Sequence, residues 1–574
     1  TPRPLPASLK RKLISQATCE PASTRASITQ LPTTALTSIF LSAALENPCR
    51  TYIDPTLLSK QSKTTILSLS HVDPLWRAIS LNIPELWLHL LISELDADVN
   101  EAEYPLYRRK EWLRELFRRS DPLSIDVGGS GYNYLPRDPE LVGLELENLH
   151  RIRTYRVSLD ERGWETLSSC LDESAEVLES VSLAFKPSVF KAPSRFDPGE
   201  SLAPVPQLPK SIFHGFAPRL SKLSLRGCLP SSGDFSSPLL SNLKSLTVSQ
   251  VSGPGVPTAD RWISYLSTMP RLEHLALEDG AVALRRKQKR NSNPGPVTSA
   301  ASLQSLCTLT LEGHVEAVGS ILARLAFPDQ CALSIKCSDV EEGEGAVDVV
   351  LRTFARGFEG VATGEDAVRL LSLKADHGIM QVSDGTRNRR LEVLVTNNSH
   401  AEPQSIPLWQ TLLSRLLVSI PLTIASFTTL EVLLPFIPQA LTKSLAGACQ
   451  LERLVNLTGA MARKLLPLLQ KEHHTVGMSP SLSNSNHDSS FITKSDSLSA
   501  LSPLPILPAL HTLHFSSLDA FAGVKWDAVR GFLKWRALGW RAIRLVQAPM
   551  SGYGLLGDVE ETFEALNVSI IYVH

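Results

Sequence analysis

Apolar residues recur along this chain in two periods. The first is the six-residue pattern L-x-x-L-x-L, in which the last three positions alternate as a half-buried strand does. Copies begin at Leu178, Leu220, Leu243, Leu272 and Leu306, and looser ones at Leu391, Leu451 and Leu510. The second period, in steps of three and four, lies between copies. It predicts helices over 260–266, carrying Trp262, Ile263 and Leu266, and over 315–325, carrying Val315, Val318, Ile321 and Leu322. Pro218, Pro270 and Pro508 stand where a helix must stop before the next strand. One strand and one helix cannot bury their apolar faces alone, so the pattern predicts units stacked on one continuous core. A generic α/β sheet is the plainer alternative. The close succession at Leu220, Leu243 and Leu272 favours repeats.

The N-terminal part follows a different rhythm. Pro32 fits a first helical turn, and Leu36, Ile39, Phe40 and Ala43 follow at helical spacing. Leu69, Val72, Trp76 and Ile79 predict a second short helix. The acidic run 93–103 reads as a loop, Tyr104 to Arg119 as an amphipathic helix stopped by Asp121-Pro122, and Leu123 to Val127 as a strand. Residues 1–26, 186–210, 285–296 and 477–505 are rich in Pro, Ser, Asn or basic residues and are expected to be disordered. Within the weak zone 339–390, loops are expected at 341–345 and 384–388. At the C-terminus a helix with Trp526, Val529, Phe532 and Leu533, a strand over 542–546, a helix over 558–566 and a strand over 568–573 would cap the array.

Residues 27–91 resemble an F-box, in the form found in F-box proteins of mushroom-forming fungi. The likeness rests on Leu31-Pro32, the helix through Ile39-Phe40, and Val72…Trp76-Arg77-Ala78-Ile79 followed by Pro84…Leu86-Trp87. It departs from the family at Thr34, Asp73 and Pro74, and in a longer insert over 46–65. The six-residue copies resemble the strand segment of leucine-rich repeats, with spacing in or near roughly 20–29 residues for the closest copies and the consensus Asn mostly missing. The resemblance implies an α/β chain with an N-terminal helical F-box followed by an irregular leucine-rich-repeat solenoid. Its parts are a disordered tail over 1–26, an F-box-like domain over 27–92 and a linker helix and first strand over 93–130. A repeat array over 131–475, a Ser/Pro-rich insert over 476–505 and a terminal repeat and cap over 506–574 follow.

What the resemblance implies about function is the target-recognition subunit of a Skp–cullin–F-box ubiquitin ligase. Leu31, Pro32, Leu36, Ile39, Phe40, Val72, Trp76 and Ile79 would bind the Skp-type adaptor of the cullin ligase core, and the repeats an unknown target protein. The alternative is an interaction scaffold without a ligase role.

Composition narrows the other classes. The 574 residues carry a net charge of −1, with 43% hydrophobic and 20% charged residues, which argues for no nucleic-acid and no membrane partner. The 8 Cys form no C-x-x-C pair and read as reduced thiols of a cytoplasmic or nuclear protein. The N-terminus has no apolar signal core. The basic run 285–290 resembles a nuclear import signal, although a solvated loop is the plainer reading. There is no G-x-x-x-x-G-K-[ST], H-E-x-x-H or G-x-S-x-G. His473-His474 and the acidic residues 96–103 lack metal-ligand spacing. No enzyme activity, cofactor or metal is expected.

Overall fold

In a computed structural model of the chain, the described residues are chiefly 31–45, 55–96, 106–128, 136–171, 174–187, 205–209, 212–230, 240–251, 253–284, 300–338 and 344–359. Further on they are 370–376, 379–384, 389–394, 428–433, 451–458, 461–467, 509–515, 523–539, 545–549, 563–566 and 568–573, with a few isolated positions. Residues 1–26, 285–290 and 477–505, together with His473 and His474, lie outside them. The chain is mixed α/β with a largely parallel sheet, and it forms two compact units.

The first unit comprises 1–135 and 140–156. Its elements are α1 (Thr33–Leu45), α2 (Pro55–Val72), α3 (Pro74–Leu81), α4 (Pro84–Asp96), α5 (Leu106–Arg119), β1 (Ile125–Val127), α6 (Pro139–Leu146) and the start of β2 (Ile152–Leu159). Leu36, Phe40 and Ala44, one turn apart, put one stripe of α1 into the core. Leu86, Trp87, Leu90 and Leu91 of α4 and Leu113, Leu116 and Phe117 of α5 join it. The Trp87 indole N–H donates to the Ser80 carbonyl at 2.9 Å, and the Arg119 guanidinium lies 4.3 Å from the ring centroid.

Several boundaries differ from the sequence reading. Leu69, Val72, Trp76 and Ile79 do not share one helix, because the chain breaks at Asp73. A residue before proline is pushed out of the helical region, and Asp73 is extended at φ −154°, ψ 150°. Its carboxylate accepts from the Leu75 N–H at 2.7 Å and caps α3, with Pro74 in the first turn. Part of the predicted 46–65 insert is helical, since α2 begins at Pro55. The acidic residues 93–96 finish α4 rather than start a loop.

Arg151 is the unit's main polar tie. Its buried guanidinium donates to the carbonyls of Phe117 (3.0 Å) and Leu123 (3.1 Å) and to the Ser120 hydroxyl (2.9 Å), and pairs with Asp121 at 3.2 Å. It thereby bonds the Phe117 carbonyl, which helix geometry leaves open at the α5 C-terminus, and the Leu123 carbonyl just beyond it. Burial pushes its own pKa down. On α5, hydrogen bonds from Arg118 and Arg119 bring the Glu115 carboxyl to about 2.

The second unit comprises 136–139 and 157–574. After α7 (Glu161–Cys170) come β3 (Ser180–Phe185), β4 (Lys222–Arg226), β5 (Ser245–Ser249), α8 (Ala259–Leu266), β6 (His274–Leu277), β7 (Ala301–Ser302), β8 (Thr308–His314), α9 (Val315–Leu322), β9 (Leu325–Ala326), β10 (Ala332–Ser338) and α10 (Glu344–Glu359). Then follow β11 (Leu370–Asp376), β12 (Ile379–Asp384), β13 (Arg389–Leu394), β14 (Thr429–Leu433), β15 (Arg453–Leu457), β16 (Thr512–Phe515), α11 (Gly523–Gly539), β17 (Leu545–Pro549) and β18 (Ser569–Val573).

Strands β3, β4, β5, β6, β8 and β10 lie side by side in chain order and pair in parallel. Their registers align Val181, Leu223, Leu246, Leu275, Leu309 and Leu333, all buried, and two residues on Leu183, Leu225, Val248, Leu277, Leu311 and Ile335. The six-residue pattern is thus read out strand by strand as two apolar ladders. The small pair β7–β9 stands apart from this sheet. Gly227, at φ 68°, ends β4 where a Cβ would meet the Phe185 carbonyl oxygen at 2.6 Å. Gly319 lets α9 lie against α10, since a Cβ there would be 2.9 Å from that of Ala346.

The predicted weak zone carries structure. Glu344 and Gly345, expected in a loop, open α10, and Asp384 ends β12. The order beyond β10 is β13-β12-β11-β14, with β12 antiparallel to both neighbours and the other pairings parallel. This local reversal breaks the Leu spacing that made the zone hard to read. Residues 205–209, expected to be disordered, pair with Leu229, and the Leu208 N–H donates to its carbonyl at 2.9 Å. The strand expected over 542–546 is β17, a few residues later.

Arg151→Ala removes the donor to the Leu123 carbonyl and to the Ser120 hydroxyl and one of the two side-chain donors to the Phe117 carbonyl, and is expected to lower unfolding free energy by about 2–3 kcal/mol. Arg153→Ala, which removes a surface partner of Asp126, is expected to cost less than about 1 kcal/mol. Urea unfolding of the full chain compares the two. Because the Glu115 carboxyl is lowered from 4.5 to about 2, its stabilising contribution is full above pH 4.5 and disappears as pH falls toward 2. Glu115→Gln should therefore flatten that part of the acid-unfolding profile, and a series of melts between pH 5 and 2 reads it.

Candidate partner-binding surfaces

The eight residues read from the sequence as one binding surface divide into two sets. Leu36, Phe40 and Ile79 are buried inside the first unit and hold its helices together, so they are not presented to a partner. Leu31 (39% exposed), Ile39 (44%) and Val72 (61%) face outward, and Pro32 is exposed as well. Trp76 lies between the sets. It is half-buried, with its ring 5.0 Å from that of Phe40 at 55°. Phe40 thus supports Trp76 from beneath.

The division has a simple cause. The apolar stripe of α1 follows Leu36, Phe40 and Ala44 at steps of four, which turns Ile39 outward. On α3 the Asp73-Pro74 start resets the helical phase and brings out Leu75, 43% exposed, which the sequence reading missed. An Asp-Pro pair between two apolar runs is the signal that would have found it. Arg77 and His71 are exposed on the same stretch, and the first turn of α1 has no acidic residue. Exposed large aliphatic side chains and a half-buried indole can bury area against another protein.

The second unit has another open face. Between the ladder positions its strands turn out Ser182, Ser224, Thr247, Ala276, Thr310 and Ser334, which are register neighbours and all half-buried. At the adjacent outward position the His274 Nδ1 and the Thr308 hydroxyl lie 2.8 Å apart.

Among the described residues no group of three His, Cys, Asp or Glu could hold a metal ion, and no helix is long and apolar enough to cross a membrane. Burial pushes the Cys228 and Cys337 thiols up to about 12, so neither is a thiolate at neutral pH. No known protein family matches the chain, and no curated protein is significantly similar to it.

Ile39→Asp and Leu75→Asp change exposed positions and are expected to leave unfolding free energy within about 0.5 kcal/mol of the parent. Phe40→Ala, by contrast, empties a core site and is expected to cost about 3–5 kcal/mol. Chemical denaturation of the three variants tests the division of the face.

Proposed function

We propose that the chain is the target-recognition subunit of a Skp–cullin–F-box ubiquitin ligase. The first unit acts as the F-box and the second as an irregular leucine-rich-repeat solenoid. The observation that carries this reading is the outward exposure of Leu31, Ile39, Val72 and Leu75 on the first unit, with Trp76 half-buried against Phe40. A unit of this size leaves such a face outward at a cost in hydration that a protein partner removes. On this reading the partner is the Skp-type adaptor. The in-register strands supply further support, because stacking units with one open face is how repeat proteins bind targets.

The mechanism involves no covalent chemistry by this chain. The first unit attaches to the adaptor and cullin core while the second holds a target protein. A lysine of the target is then kept near the ubiquitin-charged enzyme, and its effective concentration rises without any new bond. The reaction would take place in the cytoplasm or nucleus. A second reading, an interaction scaffold without ligase role, is favoured by one observation. Leu36, Phe40 and Ile79 are engaged inside the unit, so fewer apolar anchors remain for an adaptor.

Co-purification of the full chain with a Skp adaptor separates the two. The ligase reading expects a stoichiometric complex from the parent chain and at least a tenfold loss (about 1.4 kcal/mol) from the Ile39→Asp/Leu75→Asp double variant. No complex with the parent chain contradicts it and leaves the scaffold.

A further inference from the structure

Strand β4 turns Lys222, Ser224 and Arg226 outward at alternate positions, because Leu223 and Leu225 between them are buried. The register sets Ser180 and Ser245 beside Lys222, Ser182 and Thr247 beside Ser224, and Ala184 and Ser249 beside Arg226. These three strands thus carry a patch of hydroxyls and two cations, with no carboxylate among its positions. The hydroxyl-bearing residues are half-buried, and none of their side chains is bonded to another protein group among the described residues. Lys222 is exposed and forms no ion pair with a described residue. The Arg226 guanidinium donates to the neutral Gln250 side-chain oxygen at 2.6 Å, which holds it without removing its charge, and it has no carboxylate partner among the described residues either. The nearest carboxylates are engaged or stand off. Glu273 pairs with Lys244 and Glu312 with Lys336, and Glu278 follows β6, two strands from β4. Glu179, just before β3, meets Ser221 and Lys222 through its backbone carbonyl.

A ligand that brings negative charge to both cations of this patch is favoured over a neutral one. Lys222 and Arg226 are four residues apart on one strand, which is about 13 Å. One carboxylate or one phosphate is too small to touch both, so the ligand carries two anionic groups. A nucleic-acid backbone carries a charge on every unit, and the row through Ser224 offers its middle charges no cation. An extended polypeptide advances about 3.3 Å per residue, the same rise as β4, so acidic residues four positions apart match the two cations. We propose that this patch binds an extended acidic segment of a partner protein laid along β4, with one carboxylate on Lys222 and a second, four residues away, on Arg226. Hydroxyls donate and accept, so those of β3 and β5 flank the segment's peptide groups with partners for both N–H and C=O. Solvent-exposed ion pairs contribute little each, so the patch sets the spacing of acidic residues within a larger target surface.

This inference rests on the proposed function in taking the strand face for target recognition. Its test needs no adaptor, so its failure and the failure of adaptor docking are read separately. The full chain is titrated at low ionic strength into fluorescently labelled Gly/Ser peptides, followed by anisotropy. Each peptide carries two Asp at separations from one to six residues, and a companion set carries two Lys at the same separations. The parent chain is expected to bind the two-Asp peptide of separation four tightest, and Lys222→Ala to weaken that binding by about threefold. The Lys222→Glu/Arg226→Glu double variant is expected to prefer the two-Lys peptide of separation four, a reversal that a misfolded chain would not produce. Equal affinity at all separations, no binding by the parent chain, or a double variant that keeps the acidic preference would overturn the proposal.

Discussion

The second unit depends on the register between neighbouring parallel strands. Val181, Leu223, Leu246, Leu275, Leu309 and Leu333 stand in one line, with a second apolar line two residues on. No single strand buries its Leu pair, so each is stable only between its neighbours. A slip of one residue would turn every Leu outward. The same register that builds the core therefore lines up the Ser and Thr side chains on the other face and sets Lys336 beside Glu312, with which it pairs. The open face is a consequence of the core.

In the first unit the governing feature is the phase of short helices. Steps of four along α1 commit Leu36 and Phe40 to the interior and leave Ile39 outside. Asp73 and Pro74 end one helix and cap the next, which sets Leu75 outward and leans Trp76 on Phe40. Arg151 ties the C-terminus of α5 by bonding the Phe117 carbonyl. Core and candidate surface share the same short helices, and whether a side chain meets a neighbour or faces outward is decided by a rotation of about 100° per residue.

The strands at Leu178, Leu220, Leu243, Leu272 and Leu306 were legible because their Leu spacing has one physical use. The helices at 259–266 and 315–322 were legible for the same reason. Three features were not. The antiparallel β12 is set by pairing with strands on both sides rather than by its own sequence. The pairing of 205–209 with Leu229 is a long-range contact inside a Pro-rich stretch. On the candidate surface, helical spacing named an apolar set but could not say which members faced inward. Burial of Leu36, Phe40 and Ile79 follows from neighbouring helices that the motif does not contain.

On the proposed reading, α1 and α3 present their outward apolar residues to an adaptor while the strand face is left for a target. Hydrogen–deuterium exchange of the full chain, alone and with a Skp adaptor, tests it most directly. Slowed amide exchange over 31–45 and 72–81 is expected in the presence of adaptor, with exchange over β3 to β10 unchanged. Protection confined to β3–β10, or no change in either region, would contradict it.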